Sequence, residues 1–272
     1  MQGDVILILE DQELIYGGDS WSIVIIRHGY LVREHYTFNV LIPTRFDIWS
    51  GTKSFTGTAW GLLLDDSQQV DLDSPAYPYI PEGYPLSDSR KERILIRHLL
   101  TMTSGIPGEN RGVRGMPTAT DCGPLACARA LSPIGIENLS WDVQGGSGFL
   151  GPHTNAHTGV HISAWELARF GYLMLRRGAW AGKQLIPEWW LDLATRSSQA
   201  LNPNYGYTWW VNTAGTHWPS LPKDAFALAG YRSNRCYIIP SLDLVVARIG
   251  SGPTNWEEQG LITAIVGAIT SD

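Results

Sequence analysis

Phe46-Asp47-Ile48-Trp49-Ser50-Gly51-Thr52-Lys53-Ser54-Phe55-Thr56-Gly57 is the stretch on which the reading of this chain turns. Beyond it Phe55, Thr58, Ala59, Leu62 and Leu63 recur at helical spacing, so the stretch leads into a helix with a buried face and Ser50 lies at or near its start. An offset of three places the Ser50 and Lys53 side chains on one side of that helix, within reach of each other. A serine hydroxyl is a poor nucleophile at neutral pH. A lysine can accept its proton only where burial or a nearby cation lowers the amine from its usual value of about 10.4. Ile48, Trp49 and Phe55 are apolar surroundings compatible with that. The first N–H groups of a helix have no partner within it, so the Ser50 N–H is one candidate donor to an oxyanion. Ser-x-x-Lys alone remains a weak signal, since two common residues meet at that spacing by chance in many proteins.

Upstream, Trp21 to Ile26 and Tyr30 to Tyr36 are rich in β-branched and aromatic residues and flank Arg27-His28-Gly29, which predicts a β-hairpin. Downstream, Leu95, Leu99 and Met102 predict a helix over Arg90 to Met102 with Gly105 as its stop, and Ile106 to Thr120 carries no periodicity and reads as a loop. Ser163-Ala164-Trp165-Glu166 is a capping box opening a helix through Leu167, Phe170 and Met174 to Arg176-Arg177-Gly178. Pro187 opens a short helix, and Tyr207 to Val211, Arg235 to Ile239 and Leu244 to Ile249 read as strands. Thr254-Asn255-Trp256-Glu257 repeats the capping pattern ahead of a C-terminal helix that could cover the sheet.

Composition narrows the function class. Of 272 residues, 44% are hydrophobic and 17% charged, enough apolar surface for a large core in one compact unit. A net charge of −6 without a long Lys/Arg cluster speaks against nucleic acid or an anionic membrane as partner. Twelve Trp and eleven Tyr suit cores and clefts that need an apolar body with one polar handle. Cys122, Cys127 and Cys236 are an odd number at spacings that match no zinc or haem signature, so free thiols are expected. Met1-Gln2-Gly3-Asp4 lacks a basic leader, and Val5 to Leu9 is too short to span a membrane; a cytoplasmic location is the default expectation. His153, His157 and His161 recur every four residues, but Pro152 and Gly159 oppose the helix that would turn them into a metal-binding face. His98 reads as a structural hydrogen bonder, and of the Trp209-Trp210 pair at most one can line a cleft, because strand side chains alternate.

The whole word from Phe46 to Gly57 closely resembles the nucleophile segment of class C β-lactamases and their esterase and peptidase relatives in the penicillin-binding-protein group. Ile26-Arg27-His28-Gly29-Tyr30-Leu31-Val32 resembles the opening hairpin of that family, and Ile96 to Ile106 a helix end with its Thr-Ser-Gly landmark. Leu131 to Ile136, Ile162 to Gly171 and Pro240 to Val246 look like later landmarks in the same order. The resemblance implies Ser50 as nucleophile and Lys53 as proton acceptor, with no metal or organic cofactor. It also implies an α/β (α+β) fold: a mainly antiparallel sheet from the N-terminal hairpin and C-terminal strands, helices on both sides, and a reduced helical lobe. Residues 1–272 would form one catalytic domain, with the sheet part over about 1–50 and 200–272 and the helical insert over about 51–199.

Two family elements are missing. Residues Ile106 to Ser132 contain no Tyr, so the Tyr-x-Asn motif that shares proton transfer in the family has no counterpart. The Lys-Thr-Gly or His-x-Gly element is replaced by Ala229-Gly230-Tyr231-Arg232-Ser233-Asn234; the nearest candidates for a backbone oxyanion donor are Gly230, Tyr231, Arg232 and Ser233. His157-Thr158-Gly159 spells the missing word but stands in the wrong place in the order. The expected activity is acyl transfer on a small-molecule ester or amide, esterase-like rather than β-lactamase or DD-peptidase. The alternative is a catalytically silent or truncated member of the fold acting as a binding module. Nothing in the sequence reads on oligomeric state.

Overall fold

The computed structural model describes residues 20–37, 39–67, 69–80, 84–106, 125–137, 139–144, 153–251 and 258–270. The predicted hairpin forms as β1 (Trp21–Arg27) and β2 (Tyr30–Tyr36), with His28 and Gly29 in the left-handed region at its tip. A two-residue strand, β3 (Phe46–Asp47), then leads into α1 (Thr52–Asp66). The predicted helix over Arg90 to Met102 is shorter than its periodicity suggested. A 3-10 turn occupies Ser89–Arg93, Leu95 is extended and bridges Pro75, and α2 covers only Ile96–Leu100. The His98 ring accounts for the break, since its Nδ1 accepts from the Leu95 N–H at 3.1 Å and caps α2. Met102, at φ 59, ends the helix before Gly105 is reached.

Next come β4 (Ser140–Trp141), β5 (Val160–Ile162) and α3 (Ala164–Leu175). The capping box holds as predicted: Glu166 N donates to Ser163 Oγ and the Glu166 carboxylate accepts from Ser163 N at 2.9 Å. The short helix after Pro187 is α4 (Glu188–Ala194). Of the strand expected over Tyr207 to Val211 only β6 (Trp210–Val211) pairs, because Thr208 takes a positive φ of 65 and turns the chain out of the ladder. A strand the sequence reading missed, β7 (Phe226–Gly230), precedes β8 (Asn234–Ile239) and β9 (Leu244–Gly250), and α5 (Glu258–Thr270) follows. The word Phe-Ala-Leu-Ala-Gly is poor in β-branched residues; it is a strand because neighbours pair on both sides of it. The capping pattern at 254–257 and the expected loop beyond residue 106 lie outside the described residues.

These strands form a six-stranded sheet in the order β6-β7-β8-β9-β1-β2, antiparallel throughout. Period-two alternation divides its side chains between two cores. Val24, Ile26, Leu228 and Ile238 face α1 and α3, whereas Ile23, Ile25, Ala227 and Ile239 face α5. The mainly antiparallel sheet with helices on both faces is the architecture expected. A smaller sheet in the order β3-β5-β4 lies beside it and carries Asp47 opposite His161.

Candidate active site

Ser50 sits in a 3-10 turn, Trp49–Gly51, that runs directly into α1. Two devices hold this turn. The Asp47 carboxylate accepts the Trp49 N–H at 2.8 Å, which supports Trp49 at φ 50, a left-handed conformation that costs a non-glycine residue about 1–2 kcal/mol. The same carboxylate accepts the Gly159 N–H at 3.0 Å and the Thr158 hydroxyl at 3.3 Å, joining the turn to the segment before β5. Ser50 and Trp49 are both left exposed.

The first turns of α1 are buried yet rich in hydroxyls, and each hydroxyl has a separate task. Thr52 Oγ1 accepts from Val160 N at 3.1 Å, Ser54 Oγ donates to the Thr208 carbonyl at 2.7 Å, and Thr56 Oγ1 donates to the Ala156 carbonyl at 2.8 Å. Buried polar groups are tolerated only when bonded, so these three bonds fix the helix against two separate segments. Gly57 is a glycine because a Cβ there would stand 2.0 Å from Thr208 Oγ1. Phe55 anchors the other side, its ring stacked on Phe170 with centroids 3.9 Å apart.

On this rigid base Lys53 Nζ lies 2.9 Å from Ser50 Oγ and donates to the His157 carbonyl at 3.4 Å. The two residues singled out from sequence are therefore in direct contact. Of the four backbone candidates, Gly230 and Tyr231 are brought against the Ser50 turn and Arg232 and Ser233 are not. A Cβ on Gly230 would stand 1.8 Å from the Ile48 carbonyl oxygen and 3.1 Å from Gly51 N, so only glycine lets the end of β7 approach. The Tyr231 ring meets Trp49 edge-on at 5.5 Å. Arg232 and Ser233, at φ 59 and 61, close the hairpin turn.

The carbonyls of that turn are taken up by side chains of β8 and β9. Arg235 donates to the Gly230 carbonyl at 2.7 Å, Asn234 Nδ2 to that of Tyr231 at 2.6 Å, and the buried Arg248 to that of Arg232 at 2.9 Å. Asn234 Oδ1 is itself fixed by the Gly250 N–H at 2.9 Å. Carbonyls already committed to side-chain donors leave the N–H groups as the part of such a turn with which an oxyanion could interact.

A cleft of about 460 Å³ opens at Ser50, and Lys53 is the one charged side chain among the described residues that line it. Its far wall comes from segments the sequence reading had not connected to the site: Met102, Thr103, Gln199, Asn202, Tyr205 and Trp210. As the alternation required, one indole of the Trp pair lines the cleft; Trp209 is fully buried. No signal in the sequence marked Gln199 or Asn202. Tyr205 does not fill the missing tyrosine role by its environment, because burial pushes its phenol above the usual range and favours the neutral form. His157-Thr158-Gly159 lies apart from the β7–β8 hairpin and offers the His157 carbonyl to Lys53. The three histidines of that region share no helical face, since His153–Thr154 and Val160–Ile162 are extended, and His161 Nε2 pairs with Asp142 at 3.1 Å. Among the described residues no helix is long and apolar enough to cross a membrane.

Comparison with known proteins agrees with the fold. Residues 16–121 match the β-lactamase family model. An uncharacterized protein of Alkalihalophilus pseudofirmus is 25% identical over 84% of this chain and 82% of its own. A solved structure from Bacteroides dorei, provisionally assigned as a β-lactamase, superposes with a TM-score of 0.76 at 13% identity over 99% of each chain. EstCE1, described as a hydrolase with promiscuous acyltransferase activity, superposes with a TM-score of 0.72 at 12% identity, over 98% of this chain and 99% of its own.

Proposed function

Because the chain has the β-lactamase fold and carries a β-lactamase domain match over residues 16–121, we propose that it is a serine hydrolase working through an acyl-enzyme on Ser50. The observation that carries this reading is the 2.9 Å contact between Lys53 Nζ and Ser50 Oγ at the mouth of a cleft. Ser50 Oγ attacks an ester or amide carbonyl and passes its proton to Lys53. The oxyanion is held by backbone N–H groups of Ser50 and of the turn beginning at Tyr231. Lys53 then protonates the departing alcohol or amine, and water attacks the acyl-enzyme to release the acid. Lys53 lies in the first turn of α1, which has no acidic residue, and the positive end of the helix opposes a cation there, as a proton acceptor needs.

The neutral lining favours esters over penicillins and D-Ala-D-Ala peptides, whose carboxylate would want a cation. A charge-assisted contact of that kind is worth about 1.5–3 kcal/mol, and Lys53, the one cation of the described lining, is already engaged with Ser50 and His157. The absence of a Tyr from Ile106 to Ser132 favours a second reading, a silent binding module. Labelling with a fluorophosphonate decides between them. The first reading expects a mass addition on the Ser50 peptide that Ser50→Ala abolishes; folded protein that takes no label, or takes it elsewhere, is the outcome the silent module requires.

A further inference from the structure

An offset of three brings Lys53 within reach of Ser50, but it does not place the amine. Rotatable bonds along the four-carbon stem separate Nζ from the helix, and their freedom must be restrained before the 2.9 Å contact persists. Part of that restraint comes from outside α1, from the His157 carbonyl that accepts from Nζ at 3.4 Å. The word His157-Thr158-Gly159, misplaced as a family element, is what supplies this carbonyl.

Five consecutive residues, Ala156 to Val160, are bonded to the run from Phe46 to Gly57. Thr56 Oγ1 donates to the Ala156 carbonyl, Lys53 to that of His157, and Val160 N–H donates to Thr52 Oγ1. The two residues between them, Thr158 and Gly159, both bond to the carboxylate of Asp47. The Thr158 hydroxyl donates to Oδ2 at 3.3 Å and the Gly159 N–H to Oδ1 at 3.0 Å. Oδ1 also accepts the Trp49 N–H at 2.8 Å. One oxygen atom therefore holds both the residue before the nucleophile and the strip whose carbonyl holds the amine. The strip has anchors of its own besides: His157 N–H donates to Asn155 Oδ1 at 3.1 Å, and the Gly159 carbonyl accepts from Asp142 N–H at 2.8 Å.

We propose that Asp47 is the positioning residue of the Ser50–Lys53 pair, fixing where the Ser50 turn and the His157 carbonyl stand relative to each other. This inference rests on the hydrolase reading above and names a residue that its proton transfer depends on. Transfer needs donor and acceptor at a short fixed distance, and a displacement of about 1 Å can cost about a hundredfold in rate. Asp47 acts through the placement of its oxygens and not through its charge. Asp47→Asn removes the charge but leaves Oδ1 on both N–H groups, with the new amide donating to Thr158 Oγ1. Asp47→Glu keeps the charge and shifts both oxygens by one methylene.

Single-turnover acylation by p-nitrophenyl butyrate, followed over enzyme concentration, separates the limiting rate from the concentration at half-saturation. Asp47→Ala and Asp47→Glu are expected to lower the limiting rate about 10- to 100-fold with half-saturation within twofold, and Asp47→Asn to stay within about threefold of wild type. In a Lys53→Ala background, Asp47→Ala should cost less than about threefold more, because it acts through an amine that is no longer there. Fluorophosphonate labelling of Ser50 reads the same cycle where acylation is slow, and the Asn and Glu variants carry the test if Asp47→Ala does not fold. Lower melting temperatures with a wild-type rate per folded molecule would make Asp47 a merely structural residue and overturn the proposal. Losses that multiply in the double variant, or Asp47→Asn as damaging as Asp47→Glu, overturn it as well. Those outcomes leave the hydrolase reading standing; wild-type protein without Ser50-dependent acylation overturns both.

Discussion

The two walls of the cleft are built by opposite means. One is a single run of chain, Phe46 to Gly57, in which every buried hydroxyl is bonded and the one reactive hydroxyl is exposed beside an amine. The other is gathered from Met102–Thr103, Gln199–Trp210 and Ala229, carries no charge among its described lining residues, and presents the carboxamides of Gln199 and Asn202. Proton transfer needs a fixed short distance, which a helical offset of three supplies locally. Selectivity needs a surface shaped to something outside the protein, and no local rule of chain geometry supplies that. The first wall carries the chemistry proposed for this protein, and the second its choice of substrate.

Lys53 is the point at which that division breaks most sharply. Lys53→Ala is expected to leave the fold intact and to lower Ser50 acylation about 10²- to 10⁴-fold, the span of a lost acid/base group. Lys53→Arg should be nearly as damaging, because arginine keeps the charge but cannot release its proton at accessible pH. The wild-type rate should rise with pH as the amine deprotonates, with a midpoint below the value of free lysine. Single-turnover rates with a p-nitrophenyl ester across pH check this, and a wild-type profile in Lys53→Arg would make Lys53 a structural cation.

A smaller effect is expected behind the oxyanion turn. Asn234→Ala frees the Tyr231 carbonyl and should lower kcat about tenfold with KM within twofold, since a donor aimed at the developing charge matters only in the transition state. Asn234→Asp keeps the acceptor for Gly250 N–H but not the donor to Tyr231. Equal losses in the two variants assign the effect to Tyr231; a loss in KM alone would move the turn from the chemical wall to the binding wall.

Glu166 tests whether the first wall depends on its scaffold. Burial raises its carboxyl, and the Arg45 guanidinium with the Ser163 N–H and hydroxyl outweigh that and hold it below the usual carboxylate range. A depressed folded value contributes stability above the unfolded value, and that contribution is lost as pH falls through the folded one. Glu166→Gln should therefore cost about 1 kcal/mol of stability at neutral pH, with the gap from wild type closing toward pH 3 in thermal melts. A constant gap would place the loss in packing.

The smallest effect belongs to Arg232. It closes the hairpin turn, and its guanidinium carbon lies 6.0 Å over the Tyr231 ring instead of in the described cleft lining, so Arg232→Ala should change ester kcat/KM less than about twofold. A marked loss confined to carboxylate-bearing lactams would show Arg232 gripping an anion and would redraw the second wall.

Local patterns in the sequence decided more of this protein than its site alone suggests. The Ser163 capping box, the β-branched and aromatic run from Trp21 to Ile26 and the offset between Ser50 and Lys53 each express a rule acting within a few residues, and each has its counterpart in the structure. The misreadings occurred where a competing local bond or the tertiary context overrode such rules. A histidine ring capped α2 at Leu95 and shortened it, a positive φ at Thr208 cut β6 to two residues, and Phe226–Gly230 became a strand only because its neighbours pair with it. The pairing of Ser50 with Lys53 was legible because both lie on one turn of one helix. The approach of Gly230 to Ile48, the hold of Arg248 on the Arg232 and Ser233 carbonyls, and the placing of Gln199 and Asn202 in one cleft with Ser50 were settled by tertiary structure alone. Those contacts join residues far apart in the chain, and their distances follow from how the sheet and helices pack, which no short stretch of residues encodes.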